Sequence, residues 1–172
     1  LLQRDVKALV IACNTISATA AEEIARISPV PVFDVVHPTV RAAVEATETG
    51  VLGVIGTVTT VRSGIYGELA REIRKDVRVV GRECPLFVPI AEEHLAQLPV
   101  AKLMAEEYLR DFRGSGADVL ILGCTHYPLL REVIGAEMGP GVKLIDSAQP
   151  TAAQLGLLLQ ERNLLRQGAP EH

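Results

Sequence analysis

The sequence predicts an α/β fold with mainly parallel sheets flanked by helices. Short apolar runs such as "VLGVIGT" (51–57) and "ADVLILG" (117–123) are continuous rather than alternating, the pattern of strands covered on both faces. Those runs take turns with helix-like stretches along the whole chain, as successive β-α units require. A strand, small residue and cysteine unit also occurs twice, with its cysteines, Cys13 and Cys124, 111 residues apart.

The elements follow in order. "LLQRDVK" reads as the tail of a helix feeding a strand, "ALVIAC" (8–13), and "NTISATAAEEIARI" continues as a helix. "VPVFDVV" (30–36) is a second strand. Pro38 opens the amphipathic helix "PTVRAAVEAT", which Gly50 closes, in keeping with proline at helix starts and glycine past their ends. A strand over 51–57 leads into one helix over "TTVRSGIYGELAREI", and "VRVVGRE" (77–83) is the next strand. "VAKLMAEEYLRDF" (100–112) is a helix, residues 118–122 a strand, and "YPLLREVIGAEM" a helix. "VKLID" (142–146) and the helix "AQPTAAQLGLLLQERNLL" complete the pattern.

The chain of 172 residues, 48% hydrophobic and 22% charged, is long enough for a real core. A net charge of -4 offers no electrostatic footprint for nucleic acid or an anionic membrane. Aromatics make up 3% and Trp is absent, which argues against base-stacking platforms. No apolar run has the length of a membrane span. The three cysteines, Cys13, Cys84 and Cys124, lie far apart with no CxxC. That spacing suits neither a disulfide framework nor structural zinc, so no metal is expected and a reducing, cytoplasmic setting is.

The repeat carries the chemistry. "KALVIACNT" (7–15) aligns with "ADVLILGCT" (117–125), each an apolar strand, a small residue, a cysteine and then polar side chains. In open parallel sheets ligands bind at the carboxyl ends of strands. A cysteine there, in front of a helix, meets free backbone N–H groups and the positive end of the helix dipole. Both lower a thiol pKa, and both attract carboxylates. Two such units facing across a cleft would put one sulfur on each side of a small acid. That suits inversion at a stereocentre: one thiolate removes a proton and the opposite thiol supplies one. An amino acid α-proton is far less acidic than a thiol, so aimed donors must stabilise the developing charge.

"ACNTISA" (12–18) and "LGCTHYPLL" (122–130) resemble the two signature motifs of the aspartate/glutamate racemase family. "VIGTVTTVRSGIYGEL" (54–69) and "CPLFVPIAEE" (84–93) resemble further segments of it, in the same order, so the resemblance spans essentially the whole chain. It implies a cofactor-independent enzyme that converts L-glutamate to D-glutamate for peptidoglycan, with glutamate favoured over aspartate by "GCTHYP". It implies that Cys13 and Cys124 are the paired acid and base, assisted by Glu92 and His126. Asn14, Thr15, Thr125 and His126 would hold the substrate's ammonium and carboxylate groups, with Thr57 and Thr60 close by. Two similar lobes are implied, with the active site in the cleft between them: 1–49 plus 143–172 in one, 50–142 in the other. A homodimer is compatible with the resemblance.

The sequence also departs from the family. An Asp-Ser-Gly strand end and a Pro-Tyr-Gly motif, both of which reach the family's site, do not occur here, nor does its last strand and helix. Ile16 replaces a usually smaller residue, and Thr39 stands where glycine is commoner. The chain is therefore expected to be a piece truncated at both ends, inactive and poorly stable by itself.

Other residues read differently. Cys84, before Pro85 in an apolar segment, reads as core packing. His37 and His94 have no sequence partners that suggest a site, and Glu92 lies in the charged run "AEEH". "GVIGT" (53–57) lacks the GxxxxGK[ST] pattern of a phosphate loop. Competing readings are a racemase or isomerase of aspartate or another small acid, and an inactive two-lobed carboxylate-binding module.

Overall fold

The computed structural model describes residues 1–166 and 168. Two parallel sheets form. The smaller pairs β1 (Leu9–Ile11) with β2 (Val32–Asp34). The larger has the order β4-β3-β5-β6, from β3 (Val51–Gly56), β4 (Arg78–Glu83), β5 (Val119–Gly123) and β6 (Lys143–Asp146).

The continuous apolar runs are explained by cover on both faces of the larger sheet. Side chains alternate across a strand, so Leu52, Val54, Val119 and Ile121 enter one core while Ile55, Leu120 and Leu122 enter the other. The first core is closed by α2 (Val36–Ala46), through Val36, Val40, Ala43 and Val44, and by α4 (Ile65–Ile73), through Tyr66, Leu69 and Ala70. The second is closed by α5 (Phe87–Glu92), α6 (Pro99–Leu109) and α7 (Arg131–Met138). Each fully buried Val, Leu or Phe contributes about 2 kcal/mol. Phe87 stands edge-on to Tyr108 and Tyr127, with ring centroids 5.2 and 5.4 Å away.

Two expectations need revision. The helix expected over 59–73 is two, α3 (Val58–Arg62) and α4, because Gly64 adopts φ 75° between them. Helix α5 was not expected, since Pro85 and Pro89 mask its periodicity. Residues 143–146 hydrogen-bond along β5, with Ile145 opposite Ile121, and so extend the larger sheet. Helix α2, expected in the first lobe, fills the core of that same sheet. Helices α1 (Asn14–Ile27) and α8 (Ala148–Glu161) complete the described elements. No helix among the described residues is long and apolar enough to cross a membrane.

The strand order places a switch point between β3 and β5. From β3 the chain moves to β4 on one side, and it returns through β5 and β6 on the other. A crevice opens at such a point beyond the carboxyl ends of the strands. Here those ends are Gly56 and Gly123, paired across the ladder.

Candidate active site

Both sequence motifs meet at this crevice. Cys13 follows β1 in an extended conformation (φ -83°, ψ 120°) at the N-cap of α1, and it is exposed. Its carbonyl accepts the Ser17 N–H at 2.8 Å. The Ser17 hydroxyl donates to the Ile11 carbonyl at 3.0 Å and accepts the Val35 N–H at 3.4 Å, which ties the start of α1 to the ends of β1 and β2.

The next two residues reach the larger sheet. Asn14, only 2% exposed, accepts at Oδ1 a 2.7 Å hydrogen bond from the Tyr66 hydroxyl of α4. Its Nδ2 is buried without a partner among the described residues. The hydroxyls of Thr15, Thr57 and Thr60 form a triangle with all three sides 2.9 Å. Each hydroxyl can donate once and accept once around that ring. Thr57 caps α3 by accepting the Thr60 N–H at 3.3 Å, the usual role of threonine at that position. The cap brings Thr60, fully buried, under Thr15.

Cys124 lies at the end of β5, buried. Its carbonyl accepts the Tyr127 N–H at 3.2 Å, and the Tyr127 hydroxyl donates to the Cys84 carbonyl at 2.8 Å. The Cys84 N–H in turn donates to the Gly56 carbonyl at 2.9 Å. Cys84 is thus a buried strut between the ends of β3 and β5. Burial pushes its thiol up to about 12, against a small opposing pull from Arg82, so it stays neutral.

Beside Cys124 stands a relay of polar groups. The His126 Nδ1 is 3.7 Å from the Cys124 sulfur, and its Nε2 is 3.1 Å from Glu92 Oε1. Glu92 lies at the end of α5, with its side chain 58% exposed. Thr125 is exposed next to the sulfur.

The thiol environment differs from the expectation. Cys124 does not have a lowered pKa. Burial pushes it up, the His126 N–H pulls it partly back, and negative charge on Cys13 pushes it up again. The helix expected immediately after it begins instead as a 3-10 turn over Tyr127–Leu130, with α7 after that. Helix-dipole support is therefore weaker at Cys124 than the sequence suggested.

All the residues expected at the site border this region: Cys13, Asn14 and Thr15 on one side, Thr57 and Thr60 between, and Glu92, Cys124, Thr125 and His126 on the other. Tyr66 was missed. Its segment was noted, yet nothing in "SGIYGEL" marks this tyrosine rather than another apolar helix position. A cavity of about 400 Å³ lies elsewhere, lined by Asp34, His37, Arg41, Glu72 and Gln154 among others, with neither cysteine in its wall.

The chain is similar to known proteins over most of its length. A family model described as Asp/Glu/Hydantoin racemase matches residues 1–155. A glutamate racemase from Geobacter metallireducens is 48% identical over 166 residues, covering 96% of this chain and 62% of the relative. A glutamate racemase isoform from Bacillus anthracis superposes with a TM-score of 0.91 at 37% identity, over 95% of this chain and 61% of that one. Glutamate racemase from Francisella tularensis, solved with D-glutamate, gives a TM-score of 0.90 at 36% identity, over 98% of this chain and 62% of that one. The chain thus spans about 62% of the length of such relatives. A parallel α/β fold that gathers both cysteine motifs at one crevice, together with a family match over 1–155, means that the chain belongs to the Asp/Glu/hydantoin racemase family.

Proposed function

We propose that this chain carries the catalytic core of a glutamate racemase, interconverting L- and D-glutamate without a cofactor through Cys13 and Cys124. The observation that carries the reading is the meeting of the two cysteine motifs: Asn14 and Thr15, next to Cys13, bond to Tyr66, Thr57 and Thr60 beside the larger sheet, at whose strand ends Cys124 lies beside His126 and Glu92. An inversion by two thiols needs one thiolate and one thiol at a time, and like charge on neighbouring sulfurs disfavours two thiolates. The glutamate racemases similar to this chain support the choice of substrate.

In this mechanism the thiolate takes the Cα proton from one face, forming an S–H bond and leaving the electron pair on the substrate. The opposite thiol then protonates Cα from the other face and becomes the new thiolate. One negative charge has moved from one sulfur to the other, and the roles reverse for the other enantiomer. His126, held by Glu92, stands beside the Cys124 sulfur, where it steadies the charged form. Asn14, Thr15, Thr57, Thr60 and Thr125 offer donors and acceptors for the substrate's carboxylate and ammonium groups. The product would feed peptidoglycan synthesis in the cytoplasm.

The test uses the complete natural polypeptide that carries this sequence, in D₂O, with each enantiomer of glutamate and aspartate. Deuterium is expected at Cα of both glutamate enantiomers, with turnover abolished by Cys13→Ala and by Cys124→Ala. No exchange with glutamate, or turnover that survives loss of either cysteine, overturns the reading.

A further inference from the structure

We propose that Tyr66 is a positioning residue that pins the two cysteine motifs together and sets the Asn14 amide so that its NH₂ group is free for the substrate's carboxylate. The proposal rests on the racemase reading and deepens it.

One hydrogen bond of the hydroxyl and the space it occupies carry the inference. Tyr66 projects from α4 and is almost fully buried. Its hydroxyl donates to Oδ1 of Asn14, the residue after Cys13, at 2.7 Å. The same oxygen would lie 3.3 Å from a Cβ placed on Gly123, the residue before Cys124. A single phenol therefore bonds to the residue after Cys13 and fills the space that a side chain at the residue before Cys124 would take, although the two motifs sit on separate sheets. Gly123 leaves it room, because it has no side chain to occupy the space.

The direction of the hydrogen bond matters. An Asn side chain has one acceptor oxygen and one NH₂ group with two donors. With the oxygen taken by Tyr66, both donors remain, and Nδ2 is buried without a partner among the described residues. Buried donors without acceptors are rare and costly. Two aligned N–H donors beside Cys13 suit an oxyanion, and the reaction's substrate supplies carboxylate oxygens. Burial, reinforced by the charges of Asp34 and Cys124, pushes the Tyr66 phenol well above its ordinary pKa. It therefore stays protonated and keeps donating to Asn14.

Tyr66→Phe in the complete natural polypeptide removes the hydroxyl while keeping the ring in its pocket. The expected result is a KM for both glutamate enantiomers raised about tenfold, the scale of one lost hydrogen bond to a charged ligand. In an Asn14→Ala background the same substitution is expected to leave KM unchanged, because the hydroxyl acts through that amide. A merely structural tyrosine would lower thermal stability in both backgrounds and leave KM alone. A second measurement needs no variant: the side-chain amide signals of Asn14 in ¹⁵N-labelled protein are expected to shift, and their exchange to slow, when D-glutamate is added. Parent KM in Tyr66→Phe, an equal KM rise with and without Asn14, or Asn14 signals indifferent to D-glutamate overturns the proposal while leaving turnover by the parent intact. A parent protein with no turnover of glutamate removes the racemase reading, and the role of Tyr66 with it.

Discussion

Gly123→Ala tests how tightly the crevice is built. An ideal Cβ at Gly123 would lie 2.7 Å from the Ile55 carbonyl oxygen, where ordinary contacts begin at 3.4 Å. That oxygen belongs to β3, which is hydrogen-bonded to β4 on one side and β5 on the other, so it has nowhere to retreat. The end of β5 must bend instead, against the Tyr66 hydroxyl 3.3 Å away. Overpacking of this kind costs about 1–3 kcal/mol. Replacing glycine by alanine inside a strand returns about 0.5–1 kcal/mol, so the net loss should be about 1–2 kcal/mol. Urea unfolding, followed by two probes, should show a midpoint lower by about 1 M with an unchanged slope. Gly156→Ala is the control. It lies in α8 with open space around the added Cβ and should gain up to about 1 kcal/mol from helix propensity. A Gly123→Ala midpoint at or above the parent's would show that the strand ends yield freely, and would refute the account of Gly123 as a forced glycine.

Two further predictions concern charge and thiol chemistry. Burial pushes the Asp118 carboxyl up, but hydrogen bonds from the Thr47 and Thr49 hydroxyls and the Glu48 and Thr49 N–H groups outweigh it and bring the pKa down to about 2. A lowered folded-state pKa gives stability that is present above the ordinary value and lost as pH falls through the folded one. Asp118→Asn should therefore cost about 1 kcal/mol at neutral pH, after discounting for solvent screening, and the gap to the parent should close between about pH 4 and pH 2 in urea melts. Iodoacetamide with mass-spectrometric mapping should label exposed Cys13 first, buried Cys124 more slowly, and Cys84 only on unfolding. Early labelling of Cys84 would contradict its role as a buried strut.

How much of this was legible in the sequence depended on the range of the signal. The strands of the larger sheet were visible because cover on both faces leaves a local mark, as in Leu52, Val54 and Ile55 or in Val119 through Leu122. The cysteine motifs were visible as an echo of residue types. The sheet membership of residues 143–146 was not, because "VKLID" looks the same whichever strand it pairs with, and only the register against Val119–Leu122 decides. Tyr66 was hidden for the same reason: its value lies in the hydrogen bond to Asn14, 52 positions away, and in the room that Gly123 leaves for it. Helix α5 was lost locally, since prolines at 85 and 89 obscure the period that Phe87 and Ile90 would otherwise show.

The raised pKa of Cys124 is the point at which sequence reasoning about the site erred, and the error is informative. Local rules favour a thiolate at each strand end, because each cysteine is considered alone with its own helix. Two thiolates would make a poor racemase of the proposed kind, since neither could deliver a proton. What the fold adds is burial of the Cys124 sulfur, and that burial, with negative charge on Cys13, pushes its pKa up. In the proposed reaction the pair would hold one proton and one negative charge between them, so that either sulfur is the base when the other is the acid. His126, braced by Glu92, can offset part of the burial cost when the charge rests on Cys124. A reversible inversion requires the two charged states to lie close in energy, so the prediction to test is that His126→Ala, which removes the ring beside the buried Cys124 sulfur, slows turnover more in the direction that uses Cys124 as the base.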